Sequence, residues 1–386
     1  MSATAVAARP ADAPECASLL AEASASERSV AIVGGGSKRY IGDVRATDVE
    51  LSTRRMRGIV DHVAADLTVT VAGGTPFAEV QTSLGAAGQF LSLDPPHADV
   101  ATIGGIIAAN SNGFWRTRYG GVRDLLIGTR IALADGTVAR SGGRVVKNVA
   151  GYDLNKLVTG SFGTLGVIVE ATFKVLPVPP EAAGRVARFA RGSDAFAAAD
   201  ALLRSAARPA ALAVARASDG WHLIVSARGT QPVVARALSE TQREVAARNG
   251  TLEDLATELD DLRELPARAD TGALVRVALP LAAQATFAET ASRLESFVAL
   301  AADAAAAVHR VHLDGDPERV VADADALILA ARMVGGSARI ERRADALRDR
   351  LATWPASPQG AAMMRRIKDE FDPKGVLEPG RAGLVG

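Results

Sequence analysis

Residues 144–169 carry the sequence RVVKNVAGYDLNKLVTGSFGTLGVIV, in which a polar helical segment leads into a glycine-spaced turn and then into an apolar strand. Glycine stands at positions 160, 163 and 166. Because glycine has no Cβ atom, the backbone of such a turn can lie close against another object. The stretch therefore predicts a turn that packs against a planar or phosphorylated ligand.

Two more glycine loops precede this turn. The segment Gly34-Gly35-Gly36-Ser37-Lys38 follows a predicted strand over 29–33, and its successive backbone N–H groups are of the kind that hold a pyrophosphate. Residues 101–110 place a threonine and two glycines at the start of a short apolar helix, whose first amides favour the same anion. One such loop would be an ordinary turn, but three favour an extended dinucleotide with a large planar headgroup.

The two common nucleotide-binding motifs fit these loops poorly. A G-x-G-x-x-G motif would need a third glycine where Arg39 stands, and Gly73-Gly74 lacks the required spacing. The glycines before Lys38 also lack the spacing of a P-loop. The pattern instead favours several loops that converge on one cofactor.

Composition indicates a globular protein of two domains. At 386 residues the chain exceeds what one hydrophobic core usually supports. Its 44 basic residues equal its 44 acidic residues, so no basic field favours nucleic acid or an anionic membrane as a partner. The single cysteine, Cys16, excludes an intrachain disulfide and a cysteine-based metal cluster. We find no secretory signal and no intrinsic membrane segment, so we expect a cytoplasmic protein.

A proline cluster at positions 177, 179 and 180 marks the predicted domain boundary. We expect one domain over 1–180, a second over 181–354 and a C-terminal segment over 355–386. Short strands alternate with alanine-rich stretches in the second domain, which predicts an α+β fold with an antiparallel sheet covered by helices. The predicted helices of this domain are 193–207, 231–248, 283–298 and 317–333.

The glycine loops and a motif near the C-terminus together resemble a known family. The shared segments are Gly34 to Lys38, Asp94-Pro95, Ala101 to Gly105, Gly160 to Gly166, and Phe371-Asp372-Pro373 with Pro379-Gly380-Arg381. In this order they resemble the FAD-linked oxidases of the vanillyl-alcohol-oxidase, or PCMH-type, superfamily. Residues 146–154 look more narrowly like the E subunit of bacterial glycolate oxidase. The resemblance implies a PCMH-type FAD-binding domain of two α+β subdomains, an α+β cap domain, and a C-terminal segment that returns to the FAD domain.

The resemblance also implies a set of FAD-binding residues in the glycine loops. Those expected to contact the cofactor are Gly34, Gly35, Gly36, Ser37, Asp94, Pro95, Thr102, Gly104, Gly105, Gly163, Gly166, Val167 and Ile168. Some members of the family attach flavin through a histidine in the first loop. Ser37 and Lys38 occupy that loop here, so we expect FAD to be bound non-covalently.

Two residues are candidates for substrate chemistry. Arg276 interrupts the apolar strand 273–279, and its guanidinium suits bidentate binding of a carboxylate. An outward-facing arginine on a half-exposed strand is an equally good interpretation. Tyr152 lies in the polar part of the stretch 144–169. Its ring suits a position beside a flavin, and we assign it no specific role.

Some positions depart from the family pattern. Phe162 stands where many active relatives carry glutamate, and Ser337 stands where relatives often carry histidine; both changes remove groups that could handle a proton. Glu378 replaces an asparagine. His309 and His312 do not reproduce the metal motif of metal-dependent relatives, and an odd spacing on a strand puts them on opposite faces, so we predict no metal.

The expected function follows from this resemblance. We expect the FAD-binding subunit of a glycolate oxidase complex, which would transfer a hydride from a 2-hydroxy acid to flavin N5. Its partners would be a larger FAD-linked subunit and an iron–sulfur subunit, and any association with a membrane would be through them. The alternatives are an accessory flavin-binding subunit that does not turn over substrate, and a stand-alone oxidase of another hydroxy acid.

Overall fold

The structure is a computed structural model that describes residues 5–43, 45–143, 153–354, 360–381 and 383. These residues form two units. The first unit comprises the described residues within 1–112, 120–178 and 356–386, and the second comprises those within 113–119 and 179–355. The chain therefore leaves the first unit twice and returns to it, the second time after residue 355.

Strands of the described residues are labelled in chain order. They are β1 (Val6–Ala8), β2 (Val30–Val33), β3 (Val49–Ser52), β4 (Ile59–Val63), β5 (Thr68–Ala72), β6 (Gln89–Phe90), β7 (Leu126–Ala132), β8 (Val138–Gly142), β9 (Val167–Lys174), β10 (Leu176–Pro177), β11 (Glu181–Phe189), β12 (Ala211–Ala217), β13 (Gly220–Gly229), β14 (Thr251–Asp254), β15 (Ala273–Ala278), β16 (Phe297–Asp303), β17 (Val308–Leu313) and β18 (Ser337–Arg343).

The α-helices of the same residues are labelled likewise. They are α1 (Ala13–Ala25), α2 (Phe77–Gly85), α3 (Ile103–Ala109), α4 (Arg116–Tyr119), α5 (Val122–Leu125), α6 (Leu154–Val158), α7 (Gly192–Arg204), α8 (Gln231–Ala246), α9 (Glu258–Arg263), α10 (Leu265–Arg268), α11 (Gln284–Ala291), α12 (Pro317–Met333) and α13 (Ala361–Phe371). None of these helices is long and apolar enough to cross a bilayer.

The first unit is built on two main sheets. A five-stranded antiparallel sheet has the order β4-β5-β9-β7-β8, and a three-stranded parallel sheet has the order β1-β3-β2. Strand β9 has six buried residues among its eight, on both of its faces. Ile168 and Phe173 pack with α2 and α3, whereas Val167 and Val169 pack with α1 and the parallel sheet.

The second unit is built on one large sheet that is covered on both faces. Its eight strands are antiparallel in the order β14-β11-β13-β12-β16-β17-β15-β18. The larger hydrophobic core lies under α7, α8, α11 and α12, and a smaller cluster on the other face packs Phe114 against the sheet, with Leu259 and Leu262 of α9 beside it. Val275 and Val277 of β15 pack in one hydrophobic core with buried residues of α7, α8, α11 and α12. Residues of opposite parity on β15, including Arg276, therefore face away from this helical layer.

Several predicted elements differ from the structure. The predicted helix over 283–298 is wrong beyond Ala291, because the chain turns over 292–296 and enters strand β16 at Phe297. Leu300 and Ala302 of β16 face the helical core. Thr75 is a residue type that favours a helix N-cap, but Pro76 is the N-cap of α2 and the Thr75 hydroxyl donates to the Ala72 carbonyl at 2.8 Å. The sequence Asp135-Gly136 between two apolar runs predicts a β-hairpin, and the structure confirms it as β7 and β8.

Candidate functional site

The three glycine loops line one groove in the first unit. The groove holds about 760 Å³ of empty space. Its lining includes Gly34, Gly35, Gly36, Ser37, Thr102, Gly104, Gly105, Gly163, Gly166, Val167, Ile168, Phe162, Glu378 and Arg381. Segments far apart in the sequence therefore meet at one open site.

The carbonyl groups of the first loop are held away from the groove by side chains. Arg54 donates from Nε to the Gly34 carbonyl at 3.2 Å and from Nη2 to the Gly35 carbonyl at 3.0 Å. Arg381 donates from Nη2 to the Lys38 carbonyl at 2.7 Å. Because each peptide carries its carbonyl and N–H on opposite sides, these bonds fix which way the amides of the loop point.

The amides of this loop are available to a ligand. The N–H groups of Gly35, Gly36 and Ser37 donate no hydrogen bond to any residue that the structure describes. Gly36 adopts a φ of +80°, and a Cβ atom there would meet only the Cδ atom of Arg39 at 3.9 Å. A run of unbonded amides in such a turn is a concave anion site, and it fits a pyrophosphate.

Two glycines of the loop are required by the protein itself rather than by a ligand. A Cβ atom on Gly34 would lie 2.1 Å from the Thr102 hydroxyl oxygen, and one on Gly35 would lie 1.5 Å from the Val100 carbonyl oxygen. The first loop therefore packs directly on the segment that carries the second loop. Only Gly36, among these three, has open space in front of it.

The second loop contributes to the groove differently from the prediction. Thr102 is the N-cap of α3, and its hydroxyl accepts a hydrogen bond from the Gly105 N–H at 3.4 Å. The Gly104 N–H donates to the Gly73 carbonyl at 2.7 Å, and the Ile103 N–H donates to the Thr75 carbonyl at 2.9 Å. The expected anion contact through these first amides is therefore wrong, because they are already bonded within the protein.

The third loop brings a bulky side chain to the groove. Phe162 lines it in a left-handed conformation with φ of +55°, held by a hydrogen bond from its N–H to the Ala108 carbonyl at 2.8 Å. Gly163 follows at φ of +81° and leaves room for Ile32 and Glu378, each 3.3 Å from where its Cβ atom would be. A left-handed phenylalanine is strained, so the surrounding contacts must hold it in place.

Glu378 closes one side of the groove from the C-terminal segment. Its Oε1 atom accepts a hydrogen bond from the Ile32 N–H at 2.7 Å, and its Oε2 atom pairs with Arg381 at 3.2 Å. Burial raises the pKa of this carboxyl above its ordinary value, although Arg381 opposes the shift. The family resemblance singles out the motif at 378–381, but no local feature of the sequence predicts its bonds to Ile32 and to Lys38.

A buried lysine ties the C-terminal helix to this site. Lys368, on α13, donates to the Thr164 carbonyl and to the Leu377 carbonyl, both at 2.9 Å, and pairs with Asp372. Asp372 also accepts hydrogen bonds from the N–H groups of Val376 at 3.1 Å and Leu377 at 2.7 Å. This Lys368 cluster joins the third glycine loop to the segment that carries Glu378 and Arg381.

Three predicted residues do not appear in this lining. Asp94 is buried, and neither it nor Pro95 lines the groove, although Lys38 donates to the Pro96 carbonyl next to them at 3.2 Å. Tyr152 lies outside the described residues. Their roles stay predictions.

Arg276 lies in the second unit on the sheet face that turns away from α7, α8, α11 and α12. It is partly buried, and both burial and the neighbouring Arg339 lower its pKa to about 10. It forms no hydrogen bond with any described residue, whereas its cross-strand neighbour Arg310 binds Glu341. A partly buried cation without a protein acceptor is suited to an anionic ligand.

The two strand histidines have separate structural surroundings. His309 is fully buried, stacks on Phe196 at 5.6 Å and bonds to Gln284 at 3.1 Å, and burial lowers its pKa to about 3. The His312 ring bonds to the Thr271 carbonyl at 3.1 Å. The described residues contain no group of three or more histidine, cysteine, aspartate or glutamate side chains that could hold a metal ion.

Comparison with known proteins identifies the groove. Residues 4–142 match the family model of an FAD binding domain. This part of the chain is an FAD-binding domain. The cofactor is FAD, and the groove, with its unbonded amides and apolar floor, fits that dinucleotide. The matched range includes the first and second glycine loops, and the third loop and the C-terminal segment complete the groove around them.

Curated relatives match part of the chain. The glycolate oxidase subunit GlcE of Escherichia coli is 42% identical over 41% of this chain and 45% of its own length. The D-lactate dehydrogenase of Archaeoglobus fulgidus is 34% identical over 44% of this chain and 38% of its own length. Each match therefore spans less than half the length of the relative.

Nearly the whole chain matches a solved structure in fold. The structure of p-cresol methylhydroxylase with bound substrate matches 98% of this chain and 88% of its own length, with a TM-score of 0.75 and 17% identity. The predicted PCMH-type α+β fold with an antiparallel sheet in the second unit is thereby confirmed. At this identity the likeness concerns the fold alone.

The first loop gives a test of how the groove holds its cofactor. We expect Arg54→Met to weaken FAD binding about tenfold, since it removes two charge-assisted hydrogen bonds that orient the loop. The measurement is the dissociation constant from flavin fluorescence. Arg55→Met is the matched control, because among the described residues Arg55 bonds only to the Arg9 carbonyl, at 2.9 Å. Equal affinities of the two variants would contradict the role of Arg54.

Proposed function

We propose that the chain is an FAD-dependent oxidoreductase that acts on the CH–OH group of a 2-hydroxy acid, as the FAD-binding subunit of a glycolate oxidase complex. Glycolate would lose a hydride from its carbon and a proton from its hydroxyl to give glyoxylate. The observation that carries this proposal is the groove, in which a run of unbonded amides lies beside an apolar floor.

The groove residues have distinct parts in holding the cofactor. The amides of Gly35, Gly36 and Ser37 would bind the pyrophosphate, and Arg54 would keep them in position. Val167, Ile168 and the glycine backbones would pack along the rings. FAD, when bound, supplies the hydride acceptor. The first loop offers Ser37 and Lys38 in place of an attachment histidine, so acid denaturation should release all of the flavin.

Arg276 is the proposed group for the substrate carboxylate. Its guanidinium can bind a carboxylate through two parallel hydrogen bonds, and it has no acceptor among the described residues. The GlcE relative is by name a subunit of glycolate oxidase, which supports a place in a complex. An iron–sulfur cluster would have to lie in a partner, because this sequence has one cysteine, which burial makes inert by raising its pKa to about 12.

Phe162 favours a second candidate, an accessory subunit that binds flavin without its own turnover. It lines the groove where the family pattern has a carboxylate, so this position offers no proton acceptor. Such a subunit would stabilise the complex or relay electrons.

Anaerobic mixing of the purified chain with glycolate and with D-lactate separates these functions. Bleaching of bound flavin by glycolate would support the proposed activity, and bleaching by D-lactate alone would indicate an oxidase of another acid. Flavin that stays oxidised with both acids would support the accessory role. Arg276→Met is expected to abolish bleaching while flavin stays bound, and unchanged reduction would exclude Arg276.

A further inference from the structure

Helix α12 carries apolar side chains on two of its sides. Its inner side packs in the larger hydrophobic core of the second unit through Val320, Ala324, Leu327, Ile328 and Ala331. On its outer side, Leu329 is 59% exposed and Met333 is 79% exposed. A helix that packs on one neighbour normally has a polar outer side, so the outer side of α12 indicates a second neighbour.

The apolar residues on this outer side form a straight row. We call Ala322, Ala326, Leu329 and Met333 the outer stripe, and all four residues are exposed. Because an α-helix has 3.6 residues per turn, steps of four, three and four residues return to nearly the same side of it. The helix packs on β15, β17 and β18 at one edge of the sheet, and its outer stripe is left open to solvent.

Further apolar surface lies near the C-terminal end of the outer stripe. The chain turns back towards β15 after α12, and a Cβ atom on Gly336 would lie 3.2 Å from the side chain of Leu279. Leu281, two residues beyond Leu279, is 61% exposed. In the part of the chain that the structure describes, Met333, Leu281 and Leu329 are the large apolar side chains with the greatest exposure. Exposed apolar side chains that are grouped in this way, rather than scattered, indicate an interaction surface.

The outer stripe is complementary to a second copy of itself. Its spacing reads the same from either end, so a second α12 laid antiparallel on the first places Ala322 opposite Met333 and Ala326 opposite Leu329. Each small side chain then faces a large one, which lets the two helices approach closely and interdigitate. The two copies are related by a two-fold axis that passes between positions 327 and 328, and two-fold pairing is the commonest form of homodimer.

The charges beside the outer stripe favour the same arrangement. Asp325 and Arg332 are exposed on one flank of the stripe, and neither side chain forms a hydrogen bond or an ion pair with any described residue. In the antiparallel pair, Arg332 of one copy lies about 3 Å along the helix axis from Asp325 of the other, which is the rise of two residues. The two-fold axis keeps this flank on the same side of the contact in both copies, so two equivalent ion pairs can form across it.

We propose that the outer stripe of α12 is the interface between two copies of this chain, which pair antiparallel with Asp325 of each copy bound to Arg332 of the other. The inference does not depend on the proposed function, since every residue in it belongs to the second unit and none of them lines the FAD groove. An assembly that contains this chain would then hold two copies of it, joined through the second unit.

Sedimentation equilibrium of the purified full chain over a range of concentrations tests the interface. The parent is expected to reach twice its mass of 39.9 kDa. Leu329→Glu should raise the dissociation constant of the dimer at least about hundredfold, because it buries two carboxylates near the two-fold axis. Val233→Glu, at a position on α8 that is 39% exposed, is the matched control and should change nothing. A parent that stays monomeric at every concentration, or a Leu329→Glu variant that dimerises like the parent, would overturn the proposal.

Charge reversal tests how the two copies pair. Asp325→Arg sets arginine against arginine at both ion pairs, and Arg332→Asp sets aspartate against aspartate, so each variant alone should dimerise at least about tenfold more weakly than the parent. An equal mixture of the two variants should recover the dimer, because both pairs then again join opposite charges. Mixing cannot repair a folding defect, so recovery assigns the effect to the contact. If the mixture associates no better than either variant alone, the antiparallel pairing is wrong.

Discussion

Replacing Gly35 by alanine is expected to abolish FAD binding and to lower the free energy of unfolding by about 3 kcal/mol. The new Cβ atom would lie 1.5 Å from the Val100 carbonyl oxygen and 2.5 Å from its carbonyl carbon. Both atoms belong to the backbone, so the overlap cannot be relieved by turning a side chain. The first loop would have to leave the segment that carries Thr102, and its amides would no longer lie together.

Gly85→Ala is the control for this substitution. Gly85 ends α2, and a Cβ atom there would meet no heavy atom within 4 Å. Alanine is the better helix former, so this variant should be as stable as the parent or slightly more stable. Urea unfolding and the flavin absorbance of the purified proteins measure the two effects. A Gly35→Ala protein that keeps its flavin would show that the contact between the loops is dispensable.

The Lys368→Met variant is expected to lose about 3 to 5 kcal/mol of stability and most of its flavin. The Lys368 side chain is 15% exposed and the Asp372 side chain is fully buried, so the substitution leaves a carboxylate in the interior without its cation. It also removes the bond to the Thr164 carbonyl, which joins α13 to the third glycine loop.

Two further variants test this interpretation. Lys374→Met breaks a pair with Glu27 whose side chains are 54% and 68% exposed, and it should leave unfolding unchanged. The double variant Lys368→Met/Asp372→Asn removes the stranded charge and should recover part of the lost stability. If Lys368→Met unfolds like the Lys374 variant, the cluster does not hold the C-terminal segment in place.

The sequence was most informative where the backbone itself imposes a residue type. The glycines at 34–36, 104–105 and 163–166 were found because a close approach or a positive φ leaves few alternatives to glycine. The hairpin at Asp135-Gly136 was found for the same reason. The residue types that a turn requires lie next to one another in the chain, so a single sequence is enough to predict the turn.

Long polar side chains that act across the fold left no such local signal. Arg54 and Lys368 orient the groove by bonding to carbonyls 20 and 204 residues away, respectively, and nothing in their neighbourhood marks them. Strand β18, with the sequence SARIERR, was missed because its charged residues face a sheet surface that other arginines share. The last two residues of the predicted helix over 283–298 belong to strand β16, where pairing with β17 overrides the local propensity for helix.

The hydrogen bonds from Ile32 to Glu378 and from Arg381 to Lys38 join residues 346 and 343 positions apart. During synthesis the first loop leaves the ribosome long before its last partner has been made, and the whole second unit is translated in between. The groove can therefore be completed only as a late event of biogenesis. We therefore expect only the full-length chain to bind flavin. A chain whose synthesis stops early would expose an incomplete groove to the proteases and chaperones of the cell. Quenching of flavin fluorescence in chains released at successive lengths would time this step, and capture before residue 378 is made would contradict it.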